Sequence, residues 1–382
     1  MSARAEVAEA AGPAARPPGA AGMAGTAAGT AVLSDTVRKV PLEWAQTLAA
    51  WHYGLTGRLS VLSGERDSNF LLEADAGHGG TRARRFMLKI SHPAESALVA
   101  DFQTQALLHV AATDPLLPVQ RIEPTVDGRA SLQATAPDGT ARVVRLFSYL
   151  DGEPLPKAAR SPAQARALAR TLARTLARLD LALRELRHPA GELALPWDIQ
   201  RADEVRALLE HVADPQRRAM ALRVLDRFSM RVKPLLPTLR RQPIHNDLNL
   251  YNVLVDPADH ARIAGILDFG DMVHAPLVND LAVAAAYQVD PAGDTLGALA
   301  DFVGAYHEVL PLTADEVAVL FDLLQARLVM VVAISGWRAA REPANAAYLM
   351  RNNAISWQRL EACTAIAPGQ AASVLARRCE LA

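Results

Sequence analysis

The sequence predicts an α+β chain of two unequal lobes, a small antiparallel sheet followed by a larger, mainly helical body. Three observations carry that expectation. Short strand-like runs crowd into the first part of the chain with one helix among them, and long amphipathic helices dominate beyond residue 154. A length of 382 residues also suffices for two closely packed cores. The expected division is a small lobe over 35–150 and a large lobe over 151–382.

Residues 1–34 fall outside both lobes. They are dominated by Ala, Gly and Pro and contain no aromatic residue, so they bury too little apolar surface to offset their ordering entropy and are expected to be disordered. Glu6 and Glu9 interrupt the place where a signal peptide needs an apolar run, and they argue against a transit peptide. From Pro41 a short helix is expected, then strands over 59–62, 69–74 and 84–90, the last two separated by the turn Gly77-His-Gly-Gly80. Pro93 opens a helix to about residue 112. Two further strands are expected over 130–135 and 142–149, the second ending at Asp151-Gly152.

Beyond Pro154, Leu168, Leu172, Leu176, Leu179, Leu183 and Leu186 form one apolar stripe at helical spacing. Arg166, Arg170, Arg174 and Arg178 lie off it and read as a solvated face rather than a nucleic-acid surface. Further helices are expected over 214–240 and from Leu277 almost to the end. The apolar stretch 317–337 contains Asp322, Gln325 and Arg327, which suits a buried helix better than a membrane span.

Composition excludes some classes. Hydrophobic residues make up 51% and charged residues 21%, with a net charge of −1, so no electrostatic reason exists to expect nucleic acid or an anionic membrane as partner. Cys363 and Cys379 form neither a metal spacing nor a disulfide framework, and a cytoplasmic location is expected.

The chemistry lies between the helices of the large lobe. Pro243-Ile-His-Asn-Asp-Leu-Asn-Leu-Tyr-Asn-Val-Leu-Val255 contains H-x-D-x-x-x-x-N as His245, Asp247 and Asn252, and Gly265-Ile-Leu-Asp-Phe-Gly270 follows. Both motifs, in this order and each beside an apolar strand, match the catalytic and metal loops of phosphoryl-transfer enzymes. Such transfer needs a positioned nucleophile and cancellation of phosphate charge. Asp247 is the candidate base. Asn252 and Asp268 offer the hard oxygen ligands that Mg²⁺ prefers. Two strands joined by a turn at Pro257-Ala-Asp-His260 would bring the three together. Taken singly, a helix cap, a turn residue and a surface aspartate would explain them equally well.

The nucleotide needs a cation on the small lobe, and Lys89 at the end of the apolar strand Phe86-Met-Leu-Lys-Ile90 is placed to supply it. Ser63-Gly-Glu-Arg-Asp-Ser-Asn69 stands where a glycine-rich loop belongs but lacks G-x-G-x-x-G. Its amides and the Ser68 hydroxyl are candidate phosphate contacts. Leu146-Phe-Ser-Tyr-Leu-Asp-Gly152 joins the lobes. The Ser148 carbonyl and the Leu150 N–H are expected to bind the purine, with Phe147 behind it; either ATP or GTP would fit.

These stretches, with R-L-F-S-Y-L-D-G-E-P-L at the hinge, A-L-L-H-V before it and Y-L-M near Tyr348, resemble the aminoglycoside phosphotransferase superfamily, and within it the hydroxylysine kinase branch, over residues 42–360. The resemblance implies a bilobal protein-kinase-like fold and transfer of a γ-phosphate to a hydroxyl, with 5-hydroxy-L-lysine as acceptor and GTP as donor. It also implies roles for Asp247 as base, Asn252 and Asp268 as magnesium ligands, Lys89 as phosphate contact and His245 as a structural member of the loop. The chain departs from the family in places. The partner of the phosphate lysine, a Glu in the superfamily, matches Gln103 here, with Glu95 as a substitute. Asn246 follows His245 where protein kinases carry Arg, and no A-P-E element occurs, which argues against protein substrates.

The expected activity is therefore that of a kinase for a small hydroxy-amine, with hydroxylysine foremost and homoserine, choline, ethanolamine and aminoglycosides as alternatives. A zwitterionic acceptor calls for a carboxylate near its ammonium and an arginine near its carboxylate. Asp271, Trp337 and Arg338 are the candidates for those contacts. An inactive nucleotide-binding pseudokinase is the alternative of another class, and the intact Asp247, Asn252, Asp268 and Lys89 argue against it. Resistance to an antibiotic would need a strongly acidic acceptor cleft, which the near-neutral charge does not support.

Overall fold

The computed structural model describes residues 39–62, 64, 66–75 and 84–381. The expected tail, the turn at 77–80, and Ser63 and Glu65 of the loop lie outside the described residues.

Helix α1 (Leu42–Tyr53) precedes a six-stranded antiparallel sheet of β1 (Gly57–Leu62), β2 (Ser68–Ala74), β3 (Arg84–Ile90), β4 (Ile122–Glu123), β5 (Leu132–Thr135) and β6 (Ala141–Ser148). The order is β1-β2-β3-β6-β4, with β5 also on β6. Strict alternation of burial along β2 puts Phe70 and Leu72 against α1 in a small core of their own. The expected strand at 142–149 is the sixth rather than the fifth, because β4 is only two residues long and leaves no periodicity to read.

Helix α2 (Ala97–Thr113) starts at the Ser96 cap rather than at Pro93, which lies in the preceding turn. Although α2 belongs to the small lobe by sequence, its Phe102, Ala106, Leu107 and Val110 pack into the larger core. His188 stacks on Phe102 and pairs with Asp101, and Arg178 binds Asp114, so α2 is tied to the body at three points.

The large lobe contains α3 (Pro162–Leu183), whose leucine stripe is buried as expected. A run of tight turns, Ile199–His211, packs against a later helix and has no periodicity that would have revealed it. The helix expected over 214–240 is α4 (Pro215–Arg227), followed by one π-helical turn, because Pro234 and Pro237 cannot continue it. Then come α5 (Val278–Ala286), α6 (Thr295–His307), α7 (Ala314–Arg341), α8 (Ala346–Leu349), α9 (Asn353–Thr364) and α10 (Pro368–Arg378). Helix α7 is long and apolar enough to cross a membrane, yet 94% of its most apolar window is buried inside the protein. Both cysteines are buried and unpaired, and burial pushes the Cys363 thiol up to about 12.

Between α4 and α5 the chain forms two short pairings. Strand β8 (Arg241–Ile244) lies antiparallel to β11 (Val273–Pro276), and β9 (Val253–Asp256) to β10 (Asp259–Ile266). Asp259 already pairs with Asp256, so the β9–β10 turn is Pro257-Ala258, shorter than expected. Strand β7 (Glu153–Pro154) continues the hinge onto β9. A Cβ on Gly152 would meet that of Leu254 at 2.8 Å, and one on Gly265 would meet Leu150 Cδ1 at 2.9 Å. Only glycine lets the hinge lie this close to the hairpin.

Candidate active site

Nested pairing explains how three distant residues converge. Strands β8 and β11 close the outer ends, and the β9–β10 hairpin returns the chain, so that the 245–252 loop faces the 267–272 loop. The Leu267 N–H donates to the Asn252 carbonyl at 2.8 Å, which places Asp268 beside Asn252. His245 is the rivet between the loops. Its Nδ1 accepts the Asp247 N–H at 3.2 Å, which leaves Nε2 to donate to the Leu267 carbonyl at 3.0 Å. Its ring meets Phe269 edge-on at 4.8 Å. Fully buried, His245 holds the loop rather than contacting a substrate.

Asn246 and Asp268 both adopt left-handed backbone, with φ of 63° and 61°, which Asn and Asp tolerate better than most residues. That conformation turns the Asp268 carboxylate outward, where it is exposed and accepts the Gly270 N–H at 3.1 Å. The amides of His245 and Asn246 donate to the two carboxylate oxygens of Asp280 at 2.8 and 2.7 Å. Asp280, in the first turn of α5, is completely buried and was not anticipated. Behind it lies Asp180, whose carboxyl is held far above its ordinary range by burial and then by Asp280; Tyr306 donates to it at 2.5 Å.

Asp247 sits at the centre. One oxygen receives the amides of Asn249 at 2.9 Å and Asn252 at 2.8 Å, and the other receives Arg327 Nη2 at 3.1 Å. Burial, followed by the nearby Asp268, raises its pKa, and Arg327 opposes the rise. Arg327 projects from α7, is 2% exposed, lies over the Trp197 ring and donates to the Trp197 carbonyl. Sequence reasoning used it only as a sign of polarity in an apolar helix. Among the described residues the Asn252 amide oxygen accepts no hydrogen bond, so it and the exposed Asp268 carboxylate offer free oxygens from two adjoining loops. No cluster of three or more His, Cys, Asp or Glu that could hold a metal occurs among the described residues. Two protein oxygens completed by phosphate and water are the set that Mg²⁺ prefers.

On the small lobe, Lys89 Nζ pairs with Asp67 at 3.0 Å, not with Gln103. Burial works to lower its pKa, but Asp67 and Asp268 outweigh that and the net shift is upward. Asp67 is held in place by the His92 N–H at 2.8 Å. The reason Gln103 turns away is Arg145, which stands directly across the strand pair from Lys89. Gln103 accepts from Arg145 at 2.9 Å and donates to Glu95 at 3.4 Å. Glu95 thus reaches the lysine only through the field, and burial raises its pKa. Ser68 is also corrected. It is buried, and its hydroxyl accepts the Val40 N–H at 3.1 Å instead of facing a phosphate.

At the hinge, the Leu150 N–H has no acceptor among the described residues, and the Ser148 carbonyl accepts the Gln120 amide at 3.4 Å. Phe147 is buried behind them beneath Arg145. The acceptor-side candidates divide. The Asp271 carbonyl accepts from Asn246, and its carboxylate acts electrostatically on Arg327, which places it near Asp247. Trp337 and Arg338 are buried and do not join the site. Arg338 lies 3.9 Å from Glu342 and three turns past Arg327, about 16 Å along the helix.

Comparison with known proteins adds to this geometry. A family model described as the phosphotransferase enzyme family matches residues 59–316. A hydroxylysine kinase from Danio rerio is 28% identical over 313 residues, 78% of this chain and 84% of that protein. One from Mus musculus is 27% identical over 229 residues, 57% of this chain; the chain spans 60% of that relative's length. Among solved structures, a microcompartment-associated aminopropanol kinase superimposes with a TM-score of 0.61 at 22% identity, covering 84% of this chain and all of the other. An amicoumacin kinase in complex with AMP-PNP and Ca²⁺ gives 0.59 at 15% identity, covering 82% and 92%. These likenesses establish the fold, the bilobal protein-kinase-like one expected from the sequence.

Proposed function

The chain belongs to the phosphotransferase enzyme family, and from that premise we propose that it is a small-molecule kinase that phosphorylates the hydroxyl of 5-hydroxylysine. The observation that carries the kinase reading is the convergence of Asp247, Asn252 and Asp268, within the field of Lys89, with a hinge N–H that has no acceptor among the described residues. The hydroxylysine kinases of 24–28% identity support the acceptor.

Residues 35–150 serve the nucleotide and 151–382 the acceptor. ATP or GTP lies with its purine on Leu150 N–H and Ser148 C=O, and Lys89 exchanges Asp67 for phosphate oxygens. Asn252 and Asp268 hold Mg²⁺, which supplies neutralisation of phosphate charge. Asp247, its carboxylate oriented by Arg327 and two asparagine amides, takes the proton of the acceptor hydroxyl. The oxygen of that hydroxyl bonds to the γ-phosphorus as the bond to the β–γ bridging oxygen breaks, and nucleoside diphosphate leaves. Asp271 meets the acceptor ammonium.

The test is a coupled nucleotide-consumption assay of hydroxylysine, homoserine, choline, ethanolamine and kanamycin, with ATP and GTP in parallel. Hydroxylysine should show the highest kcat/KM. Asp247→Asn should cut its turnover by about 10²–10⁴-fold with nucleotide affinity retained. A tenfold preference for kanamycin or choline would refute the acceptor, and turnover of none of them with intact nucleotide binding would favour a pseudokinase.

A further inference from the structure

The proposed acceptor carries a carboxylate at the end remote from its reacting hydroxyl, and the arginine expected to read it, Arg338, is buried elsewhere. We infer that Arg351 performs this role, as the anion-binding end of an acceptor site for amino acids. The inference rests on the acceptor class proposed above.

Arg351 lies between α8 and α9. Its guanidinium carbon stands 4.3 Å from the centroid of the Tyr251 ring and 4.2 Å from that of Tyr348. Among the described residues no carboxylate pairs with it, whereas most other arginines of the chain that meet a ring also pair with a carboxylate or a carbonyl. A guanidinium has two faces and a rim of five N–H donors. Aromatic contacts use the faces and leave the rim. An exposed cation with stacked faces and an open rim is suited to a planar anion taken edge-on, as a carboxylate is in a bidentate pair.

Both elements that fix this arginine also fix the candidate base. Tyr251 belongs to the single turn Leu250–Asn252, whose neighbours Asn249 and Asn252 both donate to Asp247. Its N–H is held by the Asn249 side chain at 2.8 Å. On the other side, Asn353 donates to the Val332 carbonyl at 3.2 Å and to Ser335 at 2.9 Å, which pins the segment carrying Arg351 to α7. That helix sends Arg327 to Asp247. Arg351 is thus tied, through Tyr251 and through α7, to the same residues that hold Asp247, and on this inference an acceptor spans the two. Amino alcohols without a carboxylate meet only the near end.

The experiment compares hydroxylysine with its decarboxylated diamine on the wild type, Arg351→Met and Arg351→Lys. Methionine should raise KM for hydroxylysine by about 10- to 100-fold with kcat nearly unchanged, and leave the diamine's KM unaltered. Lysine, which keeps the charge but not the fork, should recover part of the loss. Equal effects on both acceptors, or none on either, would overturn the assignment. A wild type that phosphorylates neither compound would instead remove the acceptor reading on which the inference rests. Unchanged melting temperature and nucleotide affinity of both variants establish that the fold is intact.

Discussion

In the proposed reaction Arg327 decides how Asp247 behaves as a base. Burial and the neighbouring Asp268 push the Asp247 carboxyl above its ordinary range, and Arg327 holds it down. A base works only when ionised, so activity should fall on the acid side as pH drops through this raised pKa. Arg327→Met removes the opposing charge and raises the pKa further. Its acid limb should therefore move to higher pH, with part of the lost rate recovered in alkaline buffer. A uniform loss at every pH would assign Arg327 to structure alone. The sequence showed Asp247, Asn252 and Asp268 because their spacing is local and each lies beside a strand. It did not show Arg327, which arrives from 80 residues away in a helix whose pattern speaks only of burial. Asp67 was missed as the partner of Lys89 for a related reason. The family pattern pointed to Gln103, and nothing in either segment's sequence reveals that Arg145 takes it first.

The turn of the 245–252 loop depends on a buried carboxyl pair contributed by two helices. Asp280 from α5 accepts two loop amides, and Asp180 from α3 lies behind it, its pKa raised by burial and then by Asp280. The sign of the consequence is fixed. The folded pKa of Asp180 is raised, so the unfolded chain gives up this proton first. Its contribution to stability is undiminished below the ordinary carboxylate range and declines as pH rises from there towards the folded pKa. Asp180→Asn mimics the protonated form and should flatten that decline. Thermal melts from pH 4 to 8 should show the variant gaining on the wild type as pH rises, and parallel curves would contradict the raised pKa. At this scale the sequence was informative where elements are long and periodic, as in α3. It was silent for the 199–211 turns and for two-residue β4, which have too few residues to display a period.

The described residues pack into two large cores, and with nucleotide proposed to bind between them, a bound nucleotide should stabilise both at once. At a hundred times its Kd it contributes about 2.7 kcal/mol, enough for a rise in melting temperature of several degrees. With Mg²⁺ present the rise should be larger than without it. Asp268→Ala should abolish that difference while keeping the metal-independent part; an unchanged difference would remove Asp268 from the metal site. The two-lobed plan was legible from the clustering of strands ahead of helices. The allegiance of α2 was not, because its burial is shared between surfaces that only the folded chain defines. Phe102 against His188, Asp101 with His188, and Asp114 with Arg178 fasten this helix to the large lobe. A helix fastened in this way is a poor switch.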